Sequence, residues 1–137
     1  MAPNKWLAIG LAYDLLEADI MQWVAGPTSL ETDMESVDLQ QKIELRGQSQ
    51  VHDRISVHGV LLDNIDDHLR SLVQLDDAEK KVRFTTWRPF DTNDALDWVI
   101  KLDEIIPISI ASGSADTEWS ERIDHGQIEL YLSSVPI

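Results

Sequence analysis

The apolar stretch WLAIGLAYDLLEADIMQWVAG, residues 6–26, decides the fold class. Its apolar residues recur at helical spacing, which predicts a long helix from about residue 4 to residue 25 that ends at Gly26-Pro27. One apolar stripe contains Trp6, Ile9, Tyr13, Leu16, Ile20 and Val24, and a second contains Leu7, Leu11, Leu15 and Ala18. A helix that is apolar on two sides is either central in the fold or shared between subunits, so residues 6–24 are also the predicted seam of a homodimer.

The same stretch is a poor membrane span and a poor signal peptide. Asp14, Glu17 and Asp19 interrupt it, and no cationic start precedes an unbroken apolar run. The chain contains no cysteine, which excludes disulfides and thiolate chemistry and fits a reducing compartment. We therefore expect a cytoplasmic protein that makes no contact with a membrane.

Two neighbouring segments alternate between apolar and polar residues, which is typical of half-buried strands. They are VDLQQKIELR (37–46) and VHDRISVH (51–58), and the turn between them predicts a β-hairpin. Two registers fit, one with Ile43 opposite Ile55 and the other with Glu44 opposite His52. Further strands are predicted over 82–90, 107–112 and in the C-terminal segment from residue 127.

Two further segments show helical spacing. Residues 61–75 carry Leu62, Ile65 and Leu69 at that spacing, and residues 91–106 begin with acids and capping residues. The expected fold class is therefore α+β, as a single domain over residues 1–137. Its antiparallel sheet would have four to five strands, built on the 37–46/51–58 hairpin, and would pack with the long N-terminal helix and these two helices.

The net charge limits the classes of partner. The chain carries 25 acidic and 11 basic residues, a formal charge of −14, which repels nucleic-acid phosphates and attracts basic proteins. The segment KKVRFTTWRPF (80–90) is the basic exception, with four of the cations around Phe84 and Trp87. This segment either anchors a small anion or an acidic partner segment, or pairs with the chain's own acids. We expect no direct binding of nucleic acid.

The strand 51–58 raises the question of a catalytic site, because His52, Arg54, Ser56 and His58 alternate on one of its faces. Along a strand, His52 and His58 lie roughly 20 Å apart, too far to share one metal ion or one substrate atom. The face is therefore interpreted as solvated. Nucleotide-binding, hydrolase-elbow and zinc-protease motifs do not occur, so we expect a non-catalytic protein without a cofactor or metal.

The candidate partner-binding site combines an aromatic anchor with acids. In the segment SADTEWSERIDHG (114–126), Trp119 is the tryptophan most expected to be exposed. The predicted partner-binding residues are Trp119, Glu118, Glu121, Asp116, Asp66 and Asp67. These features predict an inhibitor of the immunity or anti-defence type, which binds a basic or nucleic-acid-binding protein. The alternatives are a subunit of a homo-oligomeric assembly and a small hydrolase in which two of His52, His68 and His125 converge with carboxylates.

Overall fold

The computed structural model describes residues 1, 4–26, 49–63, 70–76, 81–94, 97–114 and 116–135. The strands are β1 (Lys5–Leu11), β2 (Ala18–Val24), β3 (Gln50–Val57), β4 (Val60–Asp63), β5 (Arg70–Asp76), β6 (Lys81–Trp87), β7 (Ile105–Ser114) and β8 (Ile123–Tyr131), and Trp119–Glu121 form a 3-10 turn. Within these ranges, no helix has the length and apolar character needed to cross a bilayer.

Six strands form one antiparallel sheet in the order β4-β3-β2-β1-β7-β8, and β5 and β6 form a separate hairpin. This hairpin lies against one face of the sheet, where the Trp23 indole N–H donates to the Thr86 hydroxyl at 2.7 Å. We call this side the hairpin face; it also carries Leu7, Ile9 and Asp19. The hairpin face is therefore partly covered by a second layer.

The opposite side of the sheet, the core face, carries the main apolar cluster. Its buried members are Trp6, Ala8, Ala12, Leu15, Ala18, Ile20 and Ala111, and Trp119 packs against them. Small residues let the chain approach closely here. A Cβ on Gly10 would collide with a Leu15 methyl group, so the connection between β1 and β2 folds back onto β1. The 12–17 connection thereby covers one end of the core face.

The expected α+β fold class is wrong, because the described residues are mostly strand and their only helix is the three-residue 3-10 turn. The long N-terminal helix over residues 4–25 is replaced by β1, a connection at 12–17, and β2. Both strands are central in the sheet, and central strands read as near-continuous apolar runs. Such a run has the same apolar spacing as a helix with two apolar sides, so the spacing alone predicted a helix where the chain forms two strands.

The homodimer seam along residues 6–24 was derived from the same helix, which does not exist. β1 is hydrogen-bonded to β2 on one side and to β7 on the other, and β2 lies between β1 and β3. The backbone edges of both strands are therefore used within the chain. A second copy therefore cannot pair with the backbone of either strand.

The two other predicted helices are also wrong. The segment 61–75 contributes to β4 and β5, with residues 64–69 outside the described part. Its strand character follows from the turn at His58 and Gly59, whose φ angles of 50° and 78° suit the two-residue hairpin that brings Val57 opposite Val60. The described residues of 91–104 form an irregular connection, and the remainder, 105–106, begins β7.

The predicted 37–46/51–58 hairpin is not the basis of the sheet. Residues 37–46 lie outside the described residues, and β3 pairs with β2 and β4 instead. Ile55 lies opposite Asp19 on one side and Leu62 on the other, which excludes the register that placed Ile43 there. The strand predicted over 82–90 is confirmed as β6, and those from 107 and from 127 fall in β7 and β8.

A polar contact ties the C-terminal end of β8 to the connection before β7. The Asp103 carboxylate accepts hydrogen bonds from the Ser134 hydroxyl at 2.6 Å and the Ser134 backbone N–H at 3.0 Å. These bonds, the hydroxyl first, hold the pKa of Asp103 below its ordinary value of 3.8. Because the folded-state pKa is lowered, the resulting stabilisation is present above 3.8 and is lost as the pH falls through the lowered pKa.

We therefore expect the Asp103 carboxyl to titrate below 3.8 in an NMR pH titration of the folded protein. Replacing Ser134 by Ala removes the strongest of these hydrogen bonds and should move the midpoint up towards 3.8. A midpoint that stays the same in Ser134→Ala would contradict the assignment of the hydroxyl as the main cause.

Candidate functional site

The connection at 12–17, between β1 and β2, forms a partly apolar surface loop. The buried Leu15 side chain anchors it to the core face, and the Asp14 carboxylate accepts the Leu16 backbone N–H at 2.9 Å. With the loop fixed at its centre, Tyr13 and Leu16 point outwards and are 57% and 54% exposed. Large apolar side chains this exposed, beside acids, are typical of a binding surface.

A pocket of about 470 Å³ opens beside these side chains. Its lining consists of Ala12, Tyr13, Asp14, Leu16, Glu17 and His58. Glu17 is held at the rim, because its carboxylate accepts the His58 backbone N–H at 2.9 Å and lies 3.0 Å from the His58 ring. Two carboxylates and a tyrosine ring around one recess suit the side chain of an arginine or lysine. We call this recess the acidic pocket.

The acidic pocket continues towards the 3-10 turn. A second recess of about 290 Å³ is lined by Asp14, Leu16, Arg122 and Asp124, among others. Arg122 directly follows the 3-10 turn, and its guanidinium contacts the Asp124 carboxylate at 3.0 Å. The acids of the 12–17 connection are thus joined by one surface to the segment in which the partner-binding residues were predicted.

The predicted partner-binding residues differ in exposure, and two of them lie outside the described part of the chain. Asp116, Glu118 and Glu121 are exposed on or next to the 3-10 turn, whereas Asp66 and Asp67 lie outside the described residues. The expectation that Trp119 is the most exposed tryptophan is wrong, since its ring packs 5.8 Å from the Trp6 ring and beneath the Arg122 guanidinium. The tryptophans with large exposed fractions are Trp87, at 55%, and Trp98, at 41%.

Among the described residues, His52 and His125 do not converge on one site. His52 is half-buried on β3, His58 lies at the rim of the acidic pocket, and His68 is outside the described residues. Four strand spacings separate β3 from β8, which carries His125. The described histidines therefore lie on different parts of the sheet.

The solvated face predicted for the strand 51–58 is also wrong. The Ser56 side chain is 1% exposed and donates a hydrogen bond to the Leu15 carbonyl oxygen at 2.7 Å. It thereby holds the 12–17 connection against the sheet. A small hydroxyl on β3 is thus part of the support for the acidic pocket.

His125 does contact one potential nucleophile. Its Nε2 atom lies 2.5 Å from the Ser112 hydroxyl, across the β7–β8 pair. A serine nucleophile requires a base within hydrogen-bond distance and a third group that orients the base. Among the described residues, Ser112 is the one hydrogen-bond partner of the His125 ring. The pair thus has two of the three parts of a hydrolytic triad.

The clearest electrostatic feature is a buried cluster on the hairpin face. One carboxylate oxygen from each of Asp19, Asp53 and Asp97 lies within 4.8 Å of the others. The Arg88 guanidinium donates to Asp19 at 2.8 Å, and the Trp98 backbone N–H donates to the same carboxylate at 2.7 Å. Burial raises the pKa of Asp19 above its ordinary 3.8, although these two hydrogen bonds oppose the increase.

Three carboxylates so close together are donors that a divalent cation would accept. In this cluster, however, the Arg88 guanidinium already supplies the positive charge. It also reaches the Pro89 carbonyl oxygen at 3.0 Å and the Trp98 carbonyl oxygen at 2.5 Å, so it fastens the connection between β6 and β7 to the sheet. We interpret the cluster as a structural brace. Arg88 therefore pairs with the chain's own acids, which was one of the two interpretations of the basic segment.

The acidic pocket could not be identified from the sequence, because a helix over residues 4–25 would place Asp14 and Glu17 between its two apolar stripes and not in a connection between strands. One local sequence feature does point to part of this pocket. The His58-Gly59 pair between two apolar runs indicates a hairpin turn, and His58 of that turn lines the pocket. Comparison with known proteins gave no match to a family model and none to a curated protein sequence, so the functional interpretation depends on the geometry described above.

Proposed function

We propose that this protein is a non-catalytic, acidic protein-binding module that inhibits a basic or nucleic-acid-binding protein, in the manner of an immunity or anti-defence protein. The acidic pocket is the observation that carries the proposal. It offers an aromatic wall and two carboxylates to a cationic side chain of the partner. With the absence of cysteine, we further propose that it acts in the cytoplasm.

The surroundings of the pocket support the same proposal. Tyr13 and Leu16 are joined by Val60, which is 57% exposed next to the turn that forms one wall. Exposed apolar anchors inside an acidic surface provide contact area, while the net charge of −14 steers a basic partner towards the protein. Asp116, Glu118 and Glu121 add exposed negative charge on and next to the 3-10 turn.

The proposal is tested with an oligo-arginine peptide as a stand-in for the basic partner, measured by calorimetry at low salt. The double variant Asp14→Asn/Glu17→Gln keeps the shape of the pocket and removes its two charges. We expect it to weaken peptide binding about tenfold, because the paired cation loses both carboxylates.

The matched control, Glu104→Gln/Glu129→Gln, removes two exposed charges from other parts of the surface. It should weaken binding about twofold or less, through the smaller net charge alone. Equal losses in the two double variants would contradict a defined pocket. A larger loss in Glu118→Gln/Glu121→Gln would move the binding surface to the 3-10 turn.

A second function, as a subunit of a homo-oligomeric assembly, is favoured by the edge of the sheet. β8 is an edge strand, and all nine of its residues are exposed. Ile123, Ile128 and Tyr131 are more than half exposed, and an apolar edge strand is a template for pairing with another chain. Light scattering of the purified protein distinguishes this function from a monomeric inhibitor.

A third function, as a small hydrolase, has the Ser112–His125 contact in its favour. It would require a carboxylate to orient the His125 ring. We rank it below the binding functions because the acidic pocket brings two carboxylates and an aromatic ring together, whereas this pair lacks its third member among the described residues.

A further inference from the structure

A cleft of about 1080 Å³ separates the hairpin face of the large sheet from β6. The volume is at the upper end of the range for small-molecule sites. Because the cleft has a wall on each side, it admits a small molecule more readily than a folded domain. Three residues of the large sheet and three of β6 line the two walls, namely Leu7, Ile9 and Trp23, and Val82, Phe84 and Thr86.

The strand β6 is attached to the rest of the chain at two points, one on each side of Phe84. Val82 is fully buried and exchanges two hydrogen bonds with the Met1 main chain, at 2.6 and 2.7 Å. Two residues beyond Phe84, the Thr86 hydroxyl accepts the Trp23 indole N–H at 2.7 Å. Both walls of the cleft are therefore fixed before a ligand arrives, which reduces the ordering that binding would otherwise require.

The cleft leaves apolar side chains at the centre of the sheet partly open to solvent. β1 lies between β2 and β7, yet Leu7 and Ile9 on its hairpin face are only half-buried, whereas Ala8 on its other face is fully buried. Phe84, on the wall that β6 forms, is also half-buried. Removal of apolar surface from water is favourable in proportion to its area, so a ligand in the cleft would gain by covering these side chains.

The charged side chains of β6 do not face the cleft. The alternation of the strand turns Lys81 and Arg83 away from the large sheet, and both are exposed. Lys5 lines the cleft but is exposed at the start of β1, and no aspartate or glutamate occurs among the described residues of the lining. A charged group between the two apolar walls would lose its hydration without gaining an opposite charge, so the cleft disfavours ions.

We propose that this cleft binds a neutral, mainly apolar small molecule. Its hydrocarbon body would lie between Ile9 on one wall and Phe84 on the other. The lining also contains the hydroxyl groups of Ser114 and Thr117, which lie 2.9 Å apart. Because a hydroxyl group both donates and accepts, this pair suits a single hydroxyl or carbonyl group of the ligand.

The test uses N-phenylnaphthylamine, a neutral probe whose fluorescence increases in apolar surroundings, with the full chain. We expect one saturable site and displacement by decanol, decanoate and decylamine, which share a hydrocarbon chain and differ in head group. Decanol should displace the probe at a concentration at least about fivefold lower than either ion, because each ion must bury its charge unpaired or keep part of the molecule in water. The net charge of −14 acts differently, since it would favour decylamine alone.

A larger side chain inside the cleft should exclude the probe. Ile9→Trp adds a bulky ring between the two walls and should weaken probe binding at least about tenfold. The matched control is Ile128→Trp, the same change at a residue of β8 that is 53% exposed and outside the lining, and it should leave the affinity within about twofold. Unchanged far-UV circular dichroism and melting temperature show that each variant is folded.

A second matched pair decides the matter if Ile9→Trp does not fold. Phe84→Leu removes an aromatic ring from one wall and should weaken probe binding about fivefold, through the lost contact area. Phe90→Leu is the same change at a residue that is 47% exposed and outside the lining, and it should leave the affinity within about twofold.

Three results would overturn the proposal: no saturable site in the unmodified protein, equal displacement by the three competitors, or equal losses within a matched pair. Displacement by decanoate at a lower concentration than by decanol would also overturn it. Probe binding that weakens as the protein concentration rises would instead assign the cleft to a second copy of this chain. None of these results bears on the acidic pocket, which lies on the 12–17 connection.

Discussion

Arg88→Met is expected to lower the free energy of unfolding by about 3 to 5 kcal/mol, the range for removing one partner of a buried ion pair. The Arg88 and Asp19 side chains are 7% and 5% exposed, and the guanidinium is the cation bound to a cluster of three carboxylates. Methionine fills a similar volume but brings no charge. Asp19, Asp53 and Asp97 would then repel one another in a partly dry environment, and the connection that follows β6 would lose its attachment.

The loss should depend on pH in a defined direction. Burial already raises the pKa of Asp19 above 3.8, so the folded state binds a proton more tightly than the unfolded state does. The contribution of Asp19 to the free energy of unfolding therefore decreases as the pH rises from 3.8 through the raised pKa. Without Arg88 the pKa should rise further, so the difference between variant and parent should be smaller at about pH 5 than at neutral pH.

Urea denaturation at both pH values measures these differences. The matched control is Arg70→Met, the same change at an exposed arginine, for which we expect a loss within about 0.5 kcal/mol. Similar losses in the two variants, or a loss in Arg88→Met that grows as the pH falls, would mean that the cluster is not the brace we describe.

Trp6→Ala is expected to lower the free energy of unfolding by about 3 to 5 kcal/mol, as truncation of a buried tryptophan does. Trp6 is 6% exposed and packs against Trp119. Its ring also lies over Gly113, where a Cβ would come within 2.5 Å of the indole. The absence of a side chain on Gly113 shows how closely β7 accommodates this ring, so the substitution should leave a cavity that the neighbouring strands cannot fill.

The control for this prediction is Trp87→Ala, the same truncation at a residue that is 55% exposed. We expect it to cost less than about 1 kcal/mol, because little area is removed from contact. Chemical denaturation followed by far-UV circular dichroism compares the two variants directly. Equal losses would show that the Trp6 contacts do not form the centre of the core.

Periodicity alone could not separate two central strands from one helix over residues 5–24. The burial of β1 alternates along the strand, but its outward-facing residues are apolar as well, because the β5–β6 hairpin covers that face. A strand covered on both sides loses the polar positions that reveal a period of two. The strand β6 keeps charged or polar residues at alternate exposed positions, and it was predicted correctly.

The candidate sites also combine features that follow from neighbouring residues with contacts that only the fold creates. Asp116, Glu118 and Glu121 are exposed among polar neighbours along the chain, whereas the position of Trp119 depends on Trp6, more than a hundred residues away. The acidic pocket unites the 12–17 connection with the turn at His58, and the brace unites Asp19 with Arg88. These contacts connect segments that have no local pattern in common.

By itself, the sequence determined the acidic charge, the absence of thiol chemistry, the basic segment that contains β6, and the strand character of the C-terminal region. These properties depend on composition or on short alternating patterns, which do not require a partner. The tertiary structure alone decided that residues 6–24 form two strands, that Arg88 neutralises buried acids, and that Val82 and Phe84 of β6 line one cleft with Leu7 and Trp23 of the large sheet. The physical reason is that burial and charge pairing are long-range: a residue's environment is set by whichever segment packs against it, and that segment is distant along the chain.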